Sequence, residues 1–179
     1  MANHYGGQSA RRTSLLFALF LSSPGLAIAA GSQSSTVVVT ASIPPSCTIG
    51  TAAIAFAAYD PINANATVPD DRTGDIVIRC TKGASGITIG LGNGANNTGS
   101  QRRMTNSTDP TATIDYEVYK EAGRVGIWGP GDGGADRSGT DMNGTGDNVT
   151  VTMFGRIPPH QLLATAGTYN DTLVSTILF

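Results

Sequence analysis

Charged residues are scarce in this 179-residue chain: they make up 13% of it, and the formal net charge at pH 7 is -2. Such a chain has no electrostatic footprint for a polyanion, so we predict no nucleic-acid partner. Runs of Glu, Lys and Leu that favour helices are missing, and aromatic residues amount to only 6%. Glycine is abundant, with 23 residues, and long stretches are rich in Thr, Ser, Asn and Asp. This composition is typical of short strands joined by many turns, which predicts an all-β protein.

The chain also lacks the patterns of a catalytic or metal site. Histidine occurs twice, and His160 adjoins two prolines, where a role in a turn is the simpler interpretation. No GxSxG elbow offers a nucleophile, and no CxxC pair offers zinc ligands. Carboxylates lie beside glycines at 132–136 and 141–147, but the second stretch lacks the closing Glu of an EF-hand, so both are interpreted as turns. We predict no enzymatic activity, no cofactor and no metal.

The first 29 residues have the order of a secretory signal peptide. Arg11 and Arg12 precede an apolar stretch that ends at Leu21, and small residues follow up to Ala29. The apolar stretch is shorter than the roughly 20 residues that a bilayer requires, which favours a cleaved signal over a membrane anchor. We therefore predict residues 1–29 to be a signal peptide and the chain to be exported.

Export determines how the two cysteines are interpreted. Cys47 and Cys80 are the only cysteines of the chain, and thiols that reach an oxidising compartment tend to pair. The alternatives are a free buried pair or half of a metal site. A disulfide is favoured, because the exported chain keeps only His160 and so lacks further zinc ligands.

A β-branched segment, residues 36–43, precedes the first cysteine. Its residues on one face are Val37, Val39, Ala41 and Ile43. We predict a strand here and a second one from Cys47 to Phe56. Pro44 and Pro45 lie between the two, and proline cannot form the tight turn that would fold the first strand back onto the second. The first strand is therefore predicted to be separate from the next.

Alternating or β-branched segments recur along the rest of the chain. They are residues 75–80, 87–91, 114–118, 149–153 and 173–179. The count is about six strands in the body plus the separate N-terminal strand, which predicts an immunoglobulin-like sandwich that is one strand short. Such a body exposes an unpaired edge that natural proteins usually cover.

A series of landmarks runs through the chain in a specific order. They are 46–49 (Ser-Cys-Thr-Ile), Phe56 with 59–61 (Tyr-Asp-Pro), 74–83 (Gly-Asp-Ile-Val-Ile-Arg-Cys-Thr-Lys-Gly), Arg103-Met104, 114–119 (Ile-Asp-Tyr-Glu-Val-Tyr), Trp128-Gly129, 154–158 (Phe-Gly-Arg-Ile-Pro) and 167–173 (Gly-Thr-Tyr-Asn-Asp-Thr-Leu). In this order and with this cysteine setting, the chain resembles the spore coat protein U domain family, the subunit fold of archaic chaperone-usher pili.

The resemblance implies an incomplete immunoglobulin-like sandwich at 46–179, preceded by a donor strand and proline linker at 30–45. In that family a periplasmic chaperone holds each subunit, an outer-membrane usher receives it, and identical or related subunits join head to tail by donor-strand exchange. The resemblance also implies a Cys47–Cys80 disulfide. The implied donor side chains are Val37, Val39, Ala41 and Ile43. The implied strand that borders the groove and contacts the chaperone carries Leu173, Ser175, Ile177 and Phe179.

The resemblance implies a structural subunit of a surface pilus, or fimbria, that supports adhesion and biofilm formation. Its route would lead through the periplasm to the cell surface. Two alternatives stay open: a structural component of a spore or cell coat, and a carbohydrate-binding adhesive module. In the second, Trp128, Tyr116 and Tyr119 would form a stacking surface, although aromatic residues in strands are more often core.

Overall fold

The computed structural model describes residues 30–50, 52–131 and 138–179. The predicted signal peptide at 1–29 and the glycine-rich stretch at 132–136 lie outside them. The described residues form nine strands and no helix. The strands are β1 (Cys47–Ile49), β2 (Asp70–Cys80), β3 (Ile87–Leu91), β4 (Arg102–Asn106), β5 (Thr113–Tyr119), β6 (Ser138–Met142), β7 (Asn148–Ile157), β8 (Tyr169–Asn170) and β9 (Ser175–Leu178). No segment of this part of the chain is a helix long and apolar enough to cross a membrane.

The strands form two antiparallel sheets. The larger sheet has the order β1-β2-β7-β5-β4-β8, and the smaller one has the order β6-β3-β9. The longest ladder joins β2 to β7 and runs from the pair Asp70 and Ile157 to the pair Arg79 and Asn148. Every strand pair in both sheets is antiparallel. The predicted all-β, immunoglobulin-like fold is therefore confirmed.

Alternation of apolar residues explains how the strands bury a common core. In β2, Ile76 and Ile78 are buried while Val77 between them is 37% exposed. The fully or nearly fully buried apolar residues of the other strands include Ile87, Ile89, Leu91, Ile114, Tyr116, Val118, Met153 and Ile157. Because successive side chains of a strand point to opposite faces, one face of each strand covers the core and the other meets solvent.

Trp128 and Arg102 connect the two sheets inside this core. The Trp128 ring is fully buried, and its Nε1–H donates to the Ile89 carbonyl (2.8 Å). Arg102 of β4 is also fully buried, and its guanidinium donates to the carbonyls of Leu91 (2.7 Å), Gly92 (2.8 Å) and Trp128. One cationic side chain of the larger sheet thus satisfies backbone acceptors at the end of β3 in the smaller sheet.

Several predicted strands are confirmed, and others differ. The segments predicted at 75–80, 87–91, 114–118 and 149–153 lie in β2, β3, β5 and β7. The strand predicted from Cys47 to Phe56 is wrong beyond Ile49, because the chain leaves the sheet there. The last strand is four residues long, Ser175–Leu178, where 173–179 was predicted. β4, β6 and β8 were not predicted from the sequence.

The chain divides into two units, Met1–Thr40 and Ala41–Phe179. Of the first unit the structure describes residues 30–40, which have no regular secondary structure. Residues 36–43, predicted as a strand, likewise form none. A strand needs hydrogen bonds to a neighbouring strand, so a segment whose sequence favours β structure remains irregular until it has such a neighbour.

The predicted disulfide is confirmed: Cys47 of β1 is bonded to Cys80 of β2, 33 residues away. Replacing both cysteines with serine is expected to lower the free energy of unfolding by roughly 3 to 4 kcal/mol, because the unfolded chain regains the entropy of an open loop. Urea denaturation measures the loss, and reductant added to the unmodified protein should reproduce it. Identical urea midpoints with and without reductant would contradict this prediction.

Candidate functional site

A crossing segment, residues 52–58, forms one wall of the candidate site. Directly after β1 the Gly50 N–H still donates to Val77 O of β2 (2.8 Å). The segment then crosses β2 and β7 and is held at its far end by Ala57 N–H, which donates to Asp70 Oδ2 (2.9 Å). It is the alanine-rich run Ala52-Ala53-Ile54-Ala55-Phe56-Ala57-Ala58, with Ile54 and Phe56 half-buried.

Two glycines in the sheet make room for the crossing segment. A Cβ atom added at Gly74 of β2 would lie 2.0 Å from the Ala53 carbonyl oxygen. One added at Gly155 of β7 would lie 2.9 Å from both Ile54 Cγ2 and Phe56 Cζ. Any larger residue at these positions would push the segment away from the sheet.

Gly74→Ala is therefore expected to destabilise the fold by about 1 to 3 kcal/mol, since the new methyl group meets backbone that cannot rotate away. Gly50→Ala is the matched control, because its added Cβ would meet no atom closer than Val77 O at 3.4 Å. Urea midpoints of the two variants and the parent protein measure the difference. Equal midpoints for both variants would show that the crossing segment is not packed against β2.

The C-terminal segment, residues 164–175, forms the opposite wall. Part of it is β8, in which Tyr169 pairs with Asn106 of β4. The Tyr169 hydroxyl donates to Thr165 O (2.7 Å), which closes a turn within the wall. From Ser175 the chain continues as β9, which is an edge strand of the smaller sheet and pairs with β3.

A polar contact holds this wall against the core. The Tyr116 hydroxyl donates to Asp171 Oδ2 (2.7 Å), and Asp171 Oδ1 accepts from the backbone N–H (3.1 Å) and the side-chain amide (3.0 Å) of Asn96. Burial, together with the hydrogen bond to a carboxylate, raises the pKa of Tyr116 far above its ordinary value. The phenol therefore stays protonated and acts as a permanent donor to Asp171.

The two walls enclose an open groove with an apolar floor. It consists of two cavities, of about 630 and 700 Å³. Floor residues of the first cavity are Ile76, Leu91, Met104, Tyr116, Val118 and Met153, and those of the second are Met104, Ile114 and Ile157. Ile54, Phe56, Met104 and Tyr169 line both cavities, so the two join along these residues.

The groove includes part of the strand predicted to border it. Leu173 and Ser175 line the first cavity, whereas Ile177 and Phe179 line neither. Ile177 pairs with Ile89 of β3, and Phe179 is 54% exposed. The crossing segment was not predicted as a wall, because most of its alanine-rich run was interpreted as part of the strand from Cys47 to Phe56.

The residues proposed as donors are exposed. Val37, Val39 and Ile43 expose 80%, 88% and 81% of their surface, and Ala41 is also exposed. Apolar side chains are costly to leave in water. A segment that exposes them at four alternating positions is therefore suited to bind a partner. Their role as donors remains a prediction.

Other candidate residues lie in structural positions. His160 adopts a positive φ of 65°, and its N–H donates to Asn65 O (3.0 Å), as the turn interpretation predicts. Trp128 and Tyr116 are core residues, so they form no exposed stacking surface. Within residues 30–50, 52–131 and 138–179, no three His, Cys, Asp or Glu side chains form a group that could hold a metal ion.

Comparison with known proteins identifies the family. Residues 33–176 match the Spore Coat Protein U domain. Protein U of Myxococcus xanthus is 33% identical over 151 residues, which cover 78% of this chain and 80% of that protein.

Two solved structures are more distantly similar. One is the CsuC-CsuE chaperone-tip adhesion subunit pre-assembly complex from archaic chaperone-usher Csu pili of Acinetobacter baumannii, with 22% identity, a TM-score of 0.48 and coverage of 76% of this chain and 40% of the solved one. The other is a chaperone-tip adhesin complex of CFA/I fimbriae, with 10% identity, a TM-score of 0.37 and coverage of 66% and 36%. The chain thus spans less than half the length of these two solved chains. The extent of the domain match and the identity to Protein U show that the chain belongs to the spore coat protein U domain family.

Proposed function

We propose that this protein is a structural subunit of a surface fibre assembled by a chaperone-usher pathway, and that its groove receives residues 36–43 of a neighbouring copy. One observation supports this most directly. The same chain carries an open apolar groove beside an edge strand, β9, and an exposed segment whose alternate residues are apolar. The apolar floor of the groove matches the apolar side chains of the exposed segment.

Strand addition supplies the energy of the proposed contact. A strand laid along β9 gains main-chain hydrogen bonds on an unpaired edge, and its alternate side chains enter the groove. If Val37, Val39 and Ile43 each contribute roughly 1.5 to 3 kcal/mol and Ala41 less, apolar burial amounts to about 5 to 10 kcal/mol before ordering costs. The contact is head-to-tail, so it propagates an open fibre and closes no ring.

An empty groove needs a partner before assembly. Its apolar floor and the edge of β9 would promote aggregation if left uncovered during export. In our proposal a periplasmic chaperone covers them, with contacts along residues 173–179, and an outer-membrane usher exchanges the chaperone for the next subunit. The resulting fibre at the cell surface supports adhesion and biofilm formation without enzymatic activity.

The direct test is the oligomeric state of the purified chain without residues 1–29. We expect ladders of oligomers that survive SDS at room temperature and collapse to a single band on boiling. Rungs should be spaced by one subunit mass. A chain that remains monomeric at every concentration, with residues 36–43 intact, would overturn the proposal.

A coat component is the second candidate, and the name of the matching family favours it. The same strand exchange could build a layer instead of a fibre. Electron microscopy of cells with and without the gene distinguishes the two: thin fibres that vanish on deletion indicate a pilus, whereas a missing surface layer indicates a coat.

A further inference from the structure

Two loops at one end of the groove have rigid backbones. In the first, residues 60–68, the Asp60 carboxylate accepts from the N–H groups of Ile62 (3.0 Å) and Asn63 (3.1 Å). Asn65 closes the same loop, since its N–H donates to Asp60 O (2.7 Å) and its Oδ1 accepts from Asp60 N–H (2.9 Å). A loop whose backbone groups are bonded internally in this way has little conformational freedom left to lose on binding.

The second loop, residues 158–166, is anchored to the first loop and to the larger sheet. His160 N–H donates to Asn65 O (3.0 Å) across the two loops. The Gln161 side chain makes a double contact with the backbone of β5: its Oε1 accepts from Asp115 N–H (2.6 Å), and its Nε2 donates to Asp115 O (2.9 Å). The loop is therefore held from both sides.

These rigid loops expose apolar side chains. Leu163 is 95% exposed, Ile62 74%, Val68 57% and Leu162 56%. We call these four residues the loop platform. Asp60, which is bonded within its own loop, is the only Asp, Glu, Lys or Arg in either loop. Uncharged apolar side chains on an ordered backbone are typical of an interaction surface.

The loop platform adjoins the groove at a defined end. Ile62 lines the second cavity, as do Ala164 and Tyr169. Along the C-terminal segment, residues 164–169 border the second cavity and residues 169–175 the first. The platform therefore lies at the end where this segment begins, opposite to β9.

The linker restricts where a donor's own body can lie. Only Pro44, Pro45 and Ser46 separate Ile43 from Cys47, the first residue of β1. The four Cα–Cα steps from Ile43 to Cys47 span at most about 14 Å, and proline stiffens them. The body of the donor copy must therefore contact, or nearly contact, the groove end at which Ile43 is placed.

Strand direction identifies that end. Every strand pair in both sheets is antiparallel, and antiparallel pairs also predominate in proteins generally. A donor that runs antiparallel to β9 begins beside Leu178 at the end of β9, and its eight residues extend to about Asp171. Ile43 then lies close to Tyr169, where the two cavities join, and the linker leads over the second cavity toward the loop platform.

We propose that the loop platform binds the body of the neighbouring copy whose strand fills the groove, so that successive copies share a second interface besides the inserted strand. This inference rests on the proposed function and adds a partner surface to it: a second copy of this chain, in the region where its β1 begins. The second interface fixes the angle between successive copies, which could otherwise change at the short linker.

The test compares fibres of the double variant Leu162→Ser/Leu163→Ser with fibres of Val125→Ser. Val125 is 85% exposed and lines neither cavity, so it is the matched control. We expect the double variant to keep its SDS-resistant ladder but to form fibres whose persistence length, measured by electron microscopy, falls at least twofold. The Val125→Ser fibres should match the parent. Equal urea midpoints of the unassembled variants confirm that folding is unaffected.

Unchanged persistence length in the double variant would overturn this inference while the intact ladder leaves the proposed function standing. Weaker adsorption of the variant fibres to an apolar bead surface with unchanged stiffness would also overturn it, because the platform would then face outward. A parent chain that forms no ladder at all would overturn the proposed function, and this inference with it.

Discussion

Deletion of residues 36–43 is expected to abolish polymer growth and to leave a folded, chaperone-bound monomer. The deleted chain keeps both walls of the groove and the whole core, so it can still accept a strand but has none to donate. Mixed with the parent chain, it should terminate ladders at one end. Gel analysis without boiling measures this. Continued growth of ladders from the deletion variant alone would contradict the proposal.

Two adjacent valines provide a sharper version of the same experiment. Val38 and Val39 are 80% and 88% exposed. Their side chains would point to opposite faces once the segment is inserted as a strand. Val39→Ser is expected to weaken the subunit contact by roughly 1.5 to 3 kcal/mol, because a buried side chain is lost, which corresponds to about a 10- to 150-fold change in dissociation constant.

Val38→Ser is the control, since its side chain points away from the groove in this arrangement and should change the dissociation constant little. A synthetic peptide of residues 36–43 added to the deletion variant allows the measurement by thermal shift, because a ligand that binds only the folded state raises its stability with concentration. Equal effects of the two substitutions would show that alternation does not determine which side chains enter the groove.

Arg102→Met is expected to cause the largest loss of stability of any single substitution considered, about 3 to 5 kcal/mol. The guanidinium is fully buried and donates to three carbonyls and to Glu117 Oε2 (3.2 Å). Methionine fills the space but leaves these acceptors unpaired and Glu117 without its counter-charge. The urea midpoint of the variant measures the effect.

Arg103→Met is the neighbouring control. Arg103 lies on the other face of β4, is 35% exposed at its side chain and pairs with the exposed Asp115, so its loss should cost no more than about 1 kcal/mol.

Burial raises the pKa of Glu117, against the opposing effect of Arg102. Removing Arg102 should raise the pKa of Glu117 further. The loss of stability in Arg102→Met should therefore shrink as the pH falls and the Glu117 carboxyl becomes protonated. A pH-independent loss equal to that of Arg103→Met would contradict this explanation.

The strands that the sequence revealed over most of their length are those whose alternate residues are apolar and buried. β2, β3, β5 and β7 show this pattern, and each has a neighbour on both sides in its sheet, as does β4. β4 has the sequence Arg-Arg-Met-Thr-Asn, and its fully buried residue is an arginine, so no apolar period marks it. β6 is mostly polar and β8 has only two residues. Their pairing depends on neighbours far away in the chain, which local patterns do not report.

The candidate site was only partly accessible from the sequence. Leu173 and Ser175 were placed at the groove from the family resemblance, and both line it. The crossing segment was not foreseen, because Ile54 and Phe56 alternate as in a paired strand although no neighbour bonds to them in a ladder. Gly74 and Gly155 are the sequence signal for the crossing segment, because their missing side chains leave room for it. A glycine within a strand often marks such a close approach.

The position of the disulfide has a mechanical consequence. Cys47 follows the proline linker directly and is bonded covalently to Cys80 at the end of β2. A pull on the N-terminal segment would otherwise peel β1 away one hydrogen-bonded pair at a time, because β1 is only three residues long. The disulfide instead transmits the force directly to β2 and so to the long β2–β7 ladder, where many hydrogen bonds resist shear together. A chain linked to its neighbours in series would therefore bear load through its strongest ladder.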